Sequence, residues 1–463
     1  MSQSLIDILT SGCDERIFLT GTENRNKYHL QPLMYEGLMQ RGSCTCSPMN
    51  KDGHEVAEAF MEEIQVGNYQ EVVAEQTRSL QNLLKQDYLD QFQVMYGPSG
   101  SDAMYIPLIF QAISHPGESI VNIVTSPEEL GSGSKAAAEG KYYAGWNQMG
   151  ETIPIGETIK GAPEVINHFI AARDKDGNVA DHKKAIRKII KDNLGKPIIG
   201  NLVFGSKSGI MDDLNIIDEF PDGVMWVVDM CQFRADRQLI HELITKGVML
   251  MVTGSKFFQA PPFCGALLVP KTITSALSSL DASPAAVFGK LFTKYDFPHS
   301  LTGIREQLPD FQNWGLRMRW QIAIKEMEAY MAIPASATNA WIRRWNRVVA
   351  GRLAMSDTFE LMPDMELSND SIISFIIKAN GRELLKDELK VLFDQMVTEE
   401  HEGLGDHHKV FMGQPVTYGK SAFIRLALGS YSVRKQMEKG KFDLRNDLRL
   451  VDIIEEKVLT LFG

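Results

Sequence analysis

Three short segments carry residues whose types and order could do chemistry. The first, residues 96–103, has the sequence YGPSGSDA, which is typical of a strand that runs through a Gly/Ser turn into a helix. Exposed N–H groups at a helix start, with the positive end of its dipole, can hold a phosphate. Ser99, Gly100 and Ser101 are the candidate contacts, because two of them add hydroxyl donors. Taken alone, the segment also fits a tight turn with a serine cap.

The second segment is MWVVDMCQF, in which Asp229 follows an apolar, strand-like run. A carboxylate at the end of a buried strand must be paired, because an unpaired charge is costly to remove from water. A protonated ring nitrogen would pair with it well. A helix N-terminus or a structural cation is the alternative partner.

The third segment is MLMVTGSKFFQAPP, in which an apolar strand leads into a turn that carries Lys256, flanked by Thr253 and Ser255. Partial burial lowers the pKa of a lysine and makes its amine a usable nucleophile. The alternative is a surface lysine whose stem lies on apolar neighbours. In chain order the segments supply a phosphate anchor, a partner for a ring nitrogen and an amine. These are the three groups that pyridoxal 5'-phosphate (PLP) requires, so we predict PLP as the cofactor.

The segments resemble those of fold-type I PLP-dependent enzymes, within them the class V aminotransferase and cysteine desulfurase group, over roughly residues 90–430. FGSKSGIMDDL resembles the segment that places a serine, here Ser206, near the ring hydroxyl. VVDMCQ implies that Asp229 contacts the pyridine nitrogen and that Gln232 lies near the ring oxygen. TGSKFFQAPPFCGALLVP implies that Lys256 forms the Schiff base (aldimine). The neighbouring cofactor contacts would be Thr253 and Ser255, the latter standing where the group often has a histidine.

The resemblance also implies substrate contacts and a homodimer. FIRLALGSYS resembles the strand whose arginine, here Arg425, clamps the substrate carboxylate; a structural ion pair is the alternative. Asn26 and Tyr28 would border the substrate, and Thr302 would reach the phosphate in the neighbouring subunit. The segment PEELGSGSK places Glu129 or Leu130, and no aromatic residue, where the group stacks a ring on the cofactor.

We therefore expect an enzyme that acts on an amino acid, most simply an aminotransferase that moves the amino group to a keto acid with Lys256 as proton shuttle. A desulfurase needs a cysteine well after the lysine, and the last cysteine here is Cys264. A PLP-dependent lyase, a decarboxylase and a non-catalytic binding protein of the same fold remain as alternatives.

Short apolar runs that alternate with amphipathic helices must position these residues. The pattern predicts an α/β fold, with a mostly parallel sheet sandwiched by helices, followed by a smaller α+β part. We expect an irregular N-terminal arm at residues 1–50, a large PLP-binding domain at 51–320 and a small C-terminal domain at 321–463.

Composition restricts the remaining possibilities. The 463 residues are 44% hydrophobic and 23% charged, with a net charge of -11 that disfavours nucleic-acid binding. The five cysteines do not form a disulfide framework, and Cys44 and Cys46 are too few to argue for zinc. The cluster HEGLGDHH at residues 401–408 fits a solvated loop better than a metal site. Without a signal peptide or a long apolar run, the sequence predicts a soluble cytoplasmic protein that binds no membrane.

Overall fold

The structure is a computed structural model, which describes residues 4–34, 36–42, 48–85, 91–174, 178–362 and 370–463. Cys44 and Cys46 lie outside the described residues. The strands are β1 (Leu38–Arg41), β2 (Phe92–Gly97), β3 (Ile120–Thr125), β4 (Val165–Ile170), β5 (Ile198–Val203), β6 (Val224–Asp229), β7 (Met249–Thr253), β8 (Gly265–Pro270), β9 (Phe359–Leu361), β10 (Ile372–Ala379), β11 (Arg382–Glu383), β12 (Lys409–Tyr418) and β13 (Ser421–Ala427).

The α-helices are α1 (Leu5–Leu9), α2 (Lys51–Val66), α3 (Tyr69–Leu84), α4 (Gly100–Ala103), α5 (Tyr105–Ser114), α6 (Ser134–Ala138), α7 (His182–Asp192), α8 (Ile216–Glu219), α9 (Arg237–Thr245), α10 (Lys271–Leu277), α11 (Thr302–Glu306), α12 (Trp314–Met331), α13 (Ala335–Leu353), α14 (Lys386–Thr398), α15 (Ser430–Glu438) and α16 (Arg445–Phe462). Short 3-10 helices lie at Glu15–Ile17, Pro127–Glu129, Ser283–Phe288, Lys294–Asp296 and His299–Leu301. No helix among the described residues is long and apolar enough to cross a membrane.

The larger sheet has seven strands in the order β2-β8-β7-β6-β5-β3-β4. Neighbouring strands are parallel from β7 to β4, and β8 runs antiparallel to both β7 and β2. The carboxyl ends of β2, β7, β6 and β5 therefore meet at one edge. In an open sheet of this kind, ligands bind beyond that edge.

Helices cover both faces of this sheet, because alternate side chains of each strand point to opposite faces. Val121 and Ile123 pack into one buried core with α2, α3, α7, α9 and α12, whereas Ile120 and Val124 pack into the other with α4, α5, α6 and α10. This arrangement explains why the strands are mostly apolar, with Asn122 and Asn201 as buried polar exceptions in β3 and β5, and could be recognised in the sequence.

The smaller sheet has the order β1-β12-β13-β10-β11, with β9 paired to the other edge of β10. Its pairs are antiparallel except for β1 and β12, which are parallel. A separate core joins it to α13, α14 and α16. A mostly parallel sheet sandwiched by helices, with a smaller α+β part, is the predicted fold class, which is confirmed.

The first fifty residues differ from the irregular arm that we expected. Helix α1 packs Ile8 and Leu9 against α12 in the core of the large part, and β1 is an edge strand of the smaller sheet. Helix α12 also runs continuously across position 320, where we placed the domain boundary. The domain limits stay a prediction.

Candidate active site

One cavity at the carboxyl edge of the larger sheet brings together residues from the ends of five strands, β2, β3, β5, β6 and β7. Eight of the predicted cofactor contacts line it: Ser99, Gly100, Ser101, Ser206, Asp229, Gln232, Thr253 and Lys256. They come from segments that are far apart in the sequence, and the parallel topology is what makes them neighbours.

The Gly/Ser turn after β2 is held rigidly. The carboxylate of Asp102 accepts hydrogen bonds from the backbone N–H of Ser99 at 2.8 Å and from its hydroxyl at 2.7 Å. The next residue must be glycine, because a Cβ atom on Gly100 would lie 2.6 Å from the Sγ atom of Cys231. The Ser101 and Ser134 hydroxyls are 3.2 Å apart. The turn thus places N–H groups and hydroxyls together at the start of a helix.

A buried polar network lies behind this turn. Burial raises the pKa of Asp102 to about 6, although the Ser99 donors and the Tyr143 hydroxyl act to lower it. That hydroxyl lies 2.8 Å from the Asp102 carboxylate and donates to it. The Asp102 carboxylate and the Tyr143 hydroxyl, which lies 3.2 Å from the Ser99 hydroxyl, together fix the Ser99 side chain.

Asp229 is the last residue of β6 and is half-buried. Its Oδ1 atom accepts a hydrogen bond of 2.8 Å from the backbone N–H of Cys231. The Thr253 hydroxyl donates to the Cys231 carbonyl oxygen at 2.8 Å, which ties the end of β7 to the segment that follows Asp229. Burial, followed by the charge of Asp229, raises the pKa of the Cys231 thiol well above its ordinary value.

Lys256 lies in the connection between β7 and β8. Hydrogen bonds within this connection link Gly254 to Cys264 at 3.0 Å and Gln259 to the Lys256 carbonyl at 3.2 Å. The next two residues, Phe257 and Phe258, are buried in the core on one face of the sheet. The loop backbone is therefore fixed, while Lys256 itself lines the cavity and is half-buried.

The position expected to stack on the cofactor ring carries a carboxylate. Glu129 and Leu130 both line the cavity. Glu129 is buried and accepts hydrogen bonds from Ser206, and from the Ser208 backbone N–H at 2.8 Å and the Ser208 hydroxyl at 2.6 Å. Neither of these two residues is aromatic.

Five predicted site residues do not line this cavity. Ser255 is fully buried, and Thr302 is exposed at the start of α11. Arg425 is buried in β13 and donates to the Gln414 carbonyl oxygen at 3.0 Å.

The last two of the five lie in the N-terminal segment. The Asn26 side chain accepts hydrogen bonds from the backbone N–H groups of Tyr28 at 2.9 Å and Leu30 at 3.2 Å, which fixes a local turn. Tyr28 packs on a small apolar cluster that includes Leu30. Their predicted roles at the substrate remain predictions.

Sequence reasoning missed Arg16, Lys207 and Phe263, which also line the cavity. Arg16 contacts Ser99, which is far from it in the chain. No local pattern marks it, because its position depends on how the N-terminal segment packs. Lys207 could have been predicted from the sequence, because it directly follows Ser206 in the segment after β5.

The described residues contain no group of three or more His, Cys, Asp or Glu side chains that could hold a metal ion. Residues 401–408 form the connection between α14 and β12, as expected. Within it Glu402, Asp406 and His408 are exposed. His401 is buried, and its Nε2 atom lies 3.1 Å from the Met396 carbonyl oxygen.

No protein-family model matches this chain, and no curated protein matches it. Solved structures do share its fold. Phosphoserine aminotransferase SerC from Cytophaga hutchinsonii has a TM-score of 0.53 at 16% identity, over 88% of this chain and 99% of that one. Catharanthus roseus tryptophan decarboxylase has a TM-score of 0.54 at 14% identity, over 91% and 84%.

A third structure, a NifS-like protein from Rickettsia africae, has a TM-score of 0.53 at 10% identity, over 90% of this chain and 99% of that chain. At such identities the likeness establishes the fold alone. The chain has the fold of these enzymes, as the sequence resemblance implied.

Proposed function

We propose that this protein is a PLP-dependent enzyme that acts on an amino acid, and that Lys256 is its cofactor-binding lysine. One observation carries the proposal: Lys256, Asp229 and the Ser99–Ser101 turn line the same cavity at the strand ends. When bound, PLP supplies an aldehyde carbon for an amine and a ring that draws electrons from the Cα atom of the substrate. The likeness to enzymes of this fold supports the same reading.

The donor set in the cavity fits each part of this cofactor. The N–H groups and hydroxyls of Ser99, Gly100 and Ser101 suit a phosphate. The Asp229 carboxylate suits a protonated ring nitrogen, because the opposite charge keeps that nitrogen protonated. The hydrogen bond from the Cys231 N–H holds the carboxylate in one orientation. Ser206 and Gln232 would then face the ring substituents.

Lys256 has the second task of handling a proton. Once a substrate amine has displaced it, its Nζ atom is free to remove the proton from Cα or to return one to a neighbouring carbon. The fixed backbone of the connection between β7 and β8 keeps that amine beside the cavity. Asp229 and Lys256 thus have separate roles, one electrostatic and one as a base.

Transamination is the reaction we propose, because it requires only this proton transfer and a place for the substrate carboxylate. For the carboxylate we retain Arg425 as a proposal, although its side chain now donates to Gln414 and would have to turn towards the cavity. Desulfuration is disfavoured on chemical grounds, because the one cysteine that lines the cavity among the described residues, Cys231, has a raised pKa and stays an un-ionised thiol near neutral pH.

The cofactor assignment is tested by the visible spectrum of the purified protein. We expect violet absorbance, and after borohydride treatment a stable adduct on the peptide that contains Lys256. Lys256→Ala should abolish the adduct. Lys207→Ala is the matched control, since Lys207 lines the same cavity and should leave the adduct in place. A colourless protein that takes up no added PLP, or an adduct on Lys207, would refute the proposal.

The reaction type is tested with a panel of amino acids. Conversion of the bound cofactor to its pyridoxamine form, with release of the matching keto acid, supports transamination. Carbon dioxide and an amine would indicate a decarboxylase, which the likeness to tryptophan decarboxylase makes the second candidate. Bound PLP without turnover of any amino acid would favour a non-catalytic protein.

A further inference from the structure

The N-terminal segment contributes a buried guanidinium to the candidate active site. Arg16 lies within the short 3-10 helix Glu15–Ile17, which is capped by Asp14, and its side chain is only 10% exposed. Its Nε and Nη2 atoms each donate a hydrogen bond of 2.6 Å to the Asp14 carboxylate. The third nitrogen, Nη1, has no acceptor among the described residues. One edge of the guanidinium is thus used, and the other remains available.

The Arg16 side chain lies at the cavity. Arg16 lines it together with the Gly/Ser turn, and its Nη2 atom lies 3.5 Å from the Ser99 hydroxyl. The guanidinium also lies over the ring of Phe263, with its Cζ atom 4.2 Å from the ring centroid. The ring and the Asp14 carboxylate leave the guanidinium plane little freedom to rotate.

The segment that carries Arg16 is fastened to the large part of the molecule. The buried Arg319 guanidinium in α12 donates to the carbonyl oxygens of Ser11 at 2.7 Å and Gly12 at 3.2 Å. The residue directly before Arg16 is also anchored, because the Glu15 carboxylate accepts a hydrogen bond of 3.1 Å from the Gly145 N–H. Arg16 is therefore held in place before any ligand arrives, which is the arrangement that binding sites require.

The negative charges near the Gly/Ser turn would be stabilised by a nearby cation. Asp102 accepts a hydrogen bond from the Ser99 hydroxyl, and Asp14 accepts one from Tyr143, whose hydroxyl lies 3.2 Å from that of Ser99. A phosphate would add further negative charge to this buried place. Ser255, beside Lys256, is buried and does not line the cavity. Among the described residues that line it, Arg16 is the only arginine. Guanidinium N–H groups suit the oxygens of a phosphate or a carboxylate.

We infer that Arg16 is an oxyanion-binding residue of this site and that it binds the phosphate of the cofactor, an inference that rests on the proposed function. The phosphate is favoured over a substrate carboxylate, because Arg16 adjoins the Gly/Ser turn that would hold that phosphate. The N–H groups of the turn and the Nη1 edge of Arg16 then face the same group from two sides.

The test compares two ligands that differ only by the phosphate. Apoprotein is titrated with PLP and with pyridoxal, and the dissociation constants are measured from absorbance for the wild type, Arg16→Met and Arg16→Lys. We expect Arg16→Met to weaken PLP binding by about 10- to 100-fold, as the loss of a charged hydrogen bond does. Pyridoxal binding should change by less than about twofold, and Arg16→Lys should recover part of the PLP affinity.

Arg16→Met leaves the Asp14 carboxylate buried without its partner, which can prevent folding. The double variant Asp14→Asn/Arg16→Met removes both charges and gives the same comparison of ligands. Equal loss of affinity for PLP and pyridoxal, or no loss for either, would overturn the inference while the proposed function stands. An unchanged PLP affinity with a raised KM for the amino acid would assign Arg16 to the substrate carboxylate instead. A wild-type protein that binds neither ligand would overturn the proposed function as well.

Discussion

Ser208 donates two hydrogen bonds to the buried carboxylate of Glu129, one from its backbone N–H at 2.8 Å and one from its hydroxyl at 2.6 Å. The contact joins the segment after β3 to the segment after β5 at the edge of the cavity. Glu129→Ala should leave these donors unpaired and lower the free energy of unfolding by about 1–3 kcal/mol. Ser208→Ala, which keeps the backbone donor, should cost less.

A double-mutant cycle over Glu129→Ala and Ser208→Ala, measured by urea denaturation, checks this prediction. Because the two residues are in direct contact, the combined variant should lose less stability than the two single losses added together. Strict additivity would show that the hydroxyl contributes nothing to the contact.

Asp102 should make stability depend on pH. Burial raises the pKa of its carboxyl group in the folded protein to about 6, above the ordinary value of 3.8. Between roughly pH 4 and 6 the folded state holds a proton that the unfolded chain releases, so stability falls as the pH rises through this window. The full cost, about 3 kcal/mol, is present above the folded-state pKa.

Asp102→Asn removes this titration. The melting temperature of the wild type should therefore fall relative to that of Asp102→Asn as the pH is raised from about 4.5 to 7. Asp296, whose pKa burial also raises to about 6, is present in both proteins and cancels in the comparison. A difference in melting temperature that does not change with pH would argue against a raised pKa for Asp102.

Asp229→Asn should separate cofactor binding from turnover. The amide keeps the shape of the side chain and loses the charge that would hold the ring nitrogen protonated. We expect PLP still to form its adduct on Lys256, while kcat with the best amino acid falls by about 100- to 1000-fold, the usual effect of losing a preorganised charge. Absorbance and steady-state rates give the two readouts.

Asp236→Asn is the matched control for that experiment. Asp236 caps α9 by accepting a hydrogen bond of 2.8 Å from the Leu239 N–H, and it does not line the candidate active site. It should lower stability slightly and leave kcat within about twofold. Full activity in Asp229→Asn would place the ring nitrogen elsewhere.

Arg319 and Arg317, two buried arginines of α12, should respond differently to replacement by methionine. Arg319 donates to the carbonyl oxygens of Leu9 at 3.0 Å and Phe263 at 2.8 Å, besides those of residues 11 and 12. Arg317 lies over the Tyr96 ring at 4.0 Å, and its guanidinium makes no hydrogen bond among the described residues. Arg319→Met should lower the free energy of unfolding by at least about 2 kcal/mol, because it leaves several buried carbonyl oxygens without a hydrogen-bond donor.

Hydrogen–deuterium exchange at residues 4–18 distinguishes the two variants. Arg319→Met should accelerate exchange there, because the segment loses its anchor, whereas Arg317→Met should not. Arg317→Met loses the attraction between the guanidinium and the Tyr96 ring, but it also removes the cost of burying a charge. The two effects oppose each other, so the segment should stay in place. Equal acceleration in both variants would mean that helix packing, and not the carbonyl contacts of Arg319, fixes the segment.

Strands with two buried faces were recognisable in the sequence, because most of their residues are apolar and β3 and β5 contain only one asparagine each. Strand β4 was missed, since Asn167 and His168 break its apolar run at the edge of the sheet, where every residue is only half-buried. Strand β12 was missed because Gly413 and Pro415 interrupt it, and its pairing with β13 shifts register there.

The cavity was predictable to the extent that its residues follow strands of one sheet. Asp229 and Lys256 each come directly after an apolar run, so the topology alone brings them together. Arg16 could not be found this way, because a distant helix fixes its position through contacts to backbone carbonyls that carry no sequence signature. Arg425 lies in the other sheet, and its orientation depends on packing that no short motif encodes.

The contacts between Arg319 and the N-terminal segment also set the order in which the site can be assembled during synthesis. Residues 5–18 leave the ribosome long before α12 exists, and their acceptors are exposed to water until α12 has been made. The turn after β2 and the segments after β5, β6 and β7 are all available earlier. The Arg16 side of the cavity therefore depends on residues around position 319, which are synthesised after every strand of the larger sheet.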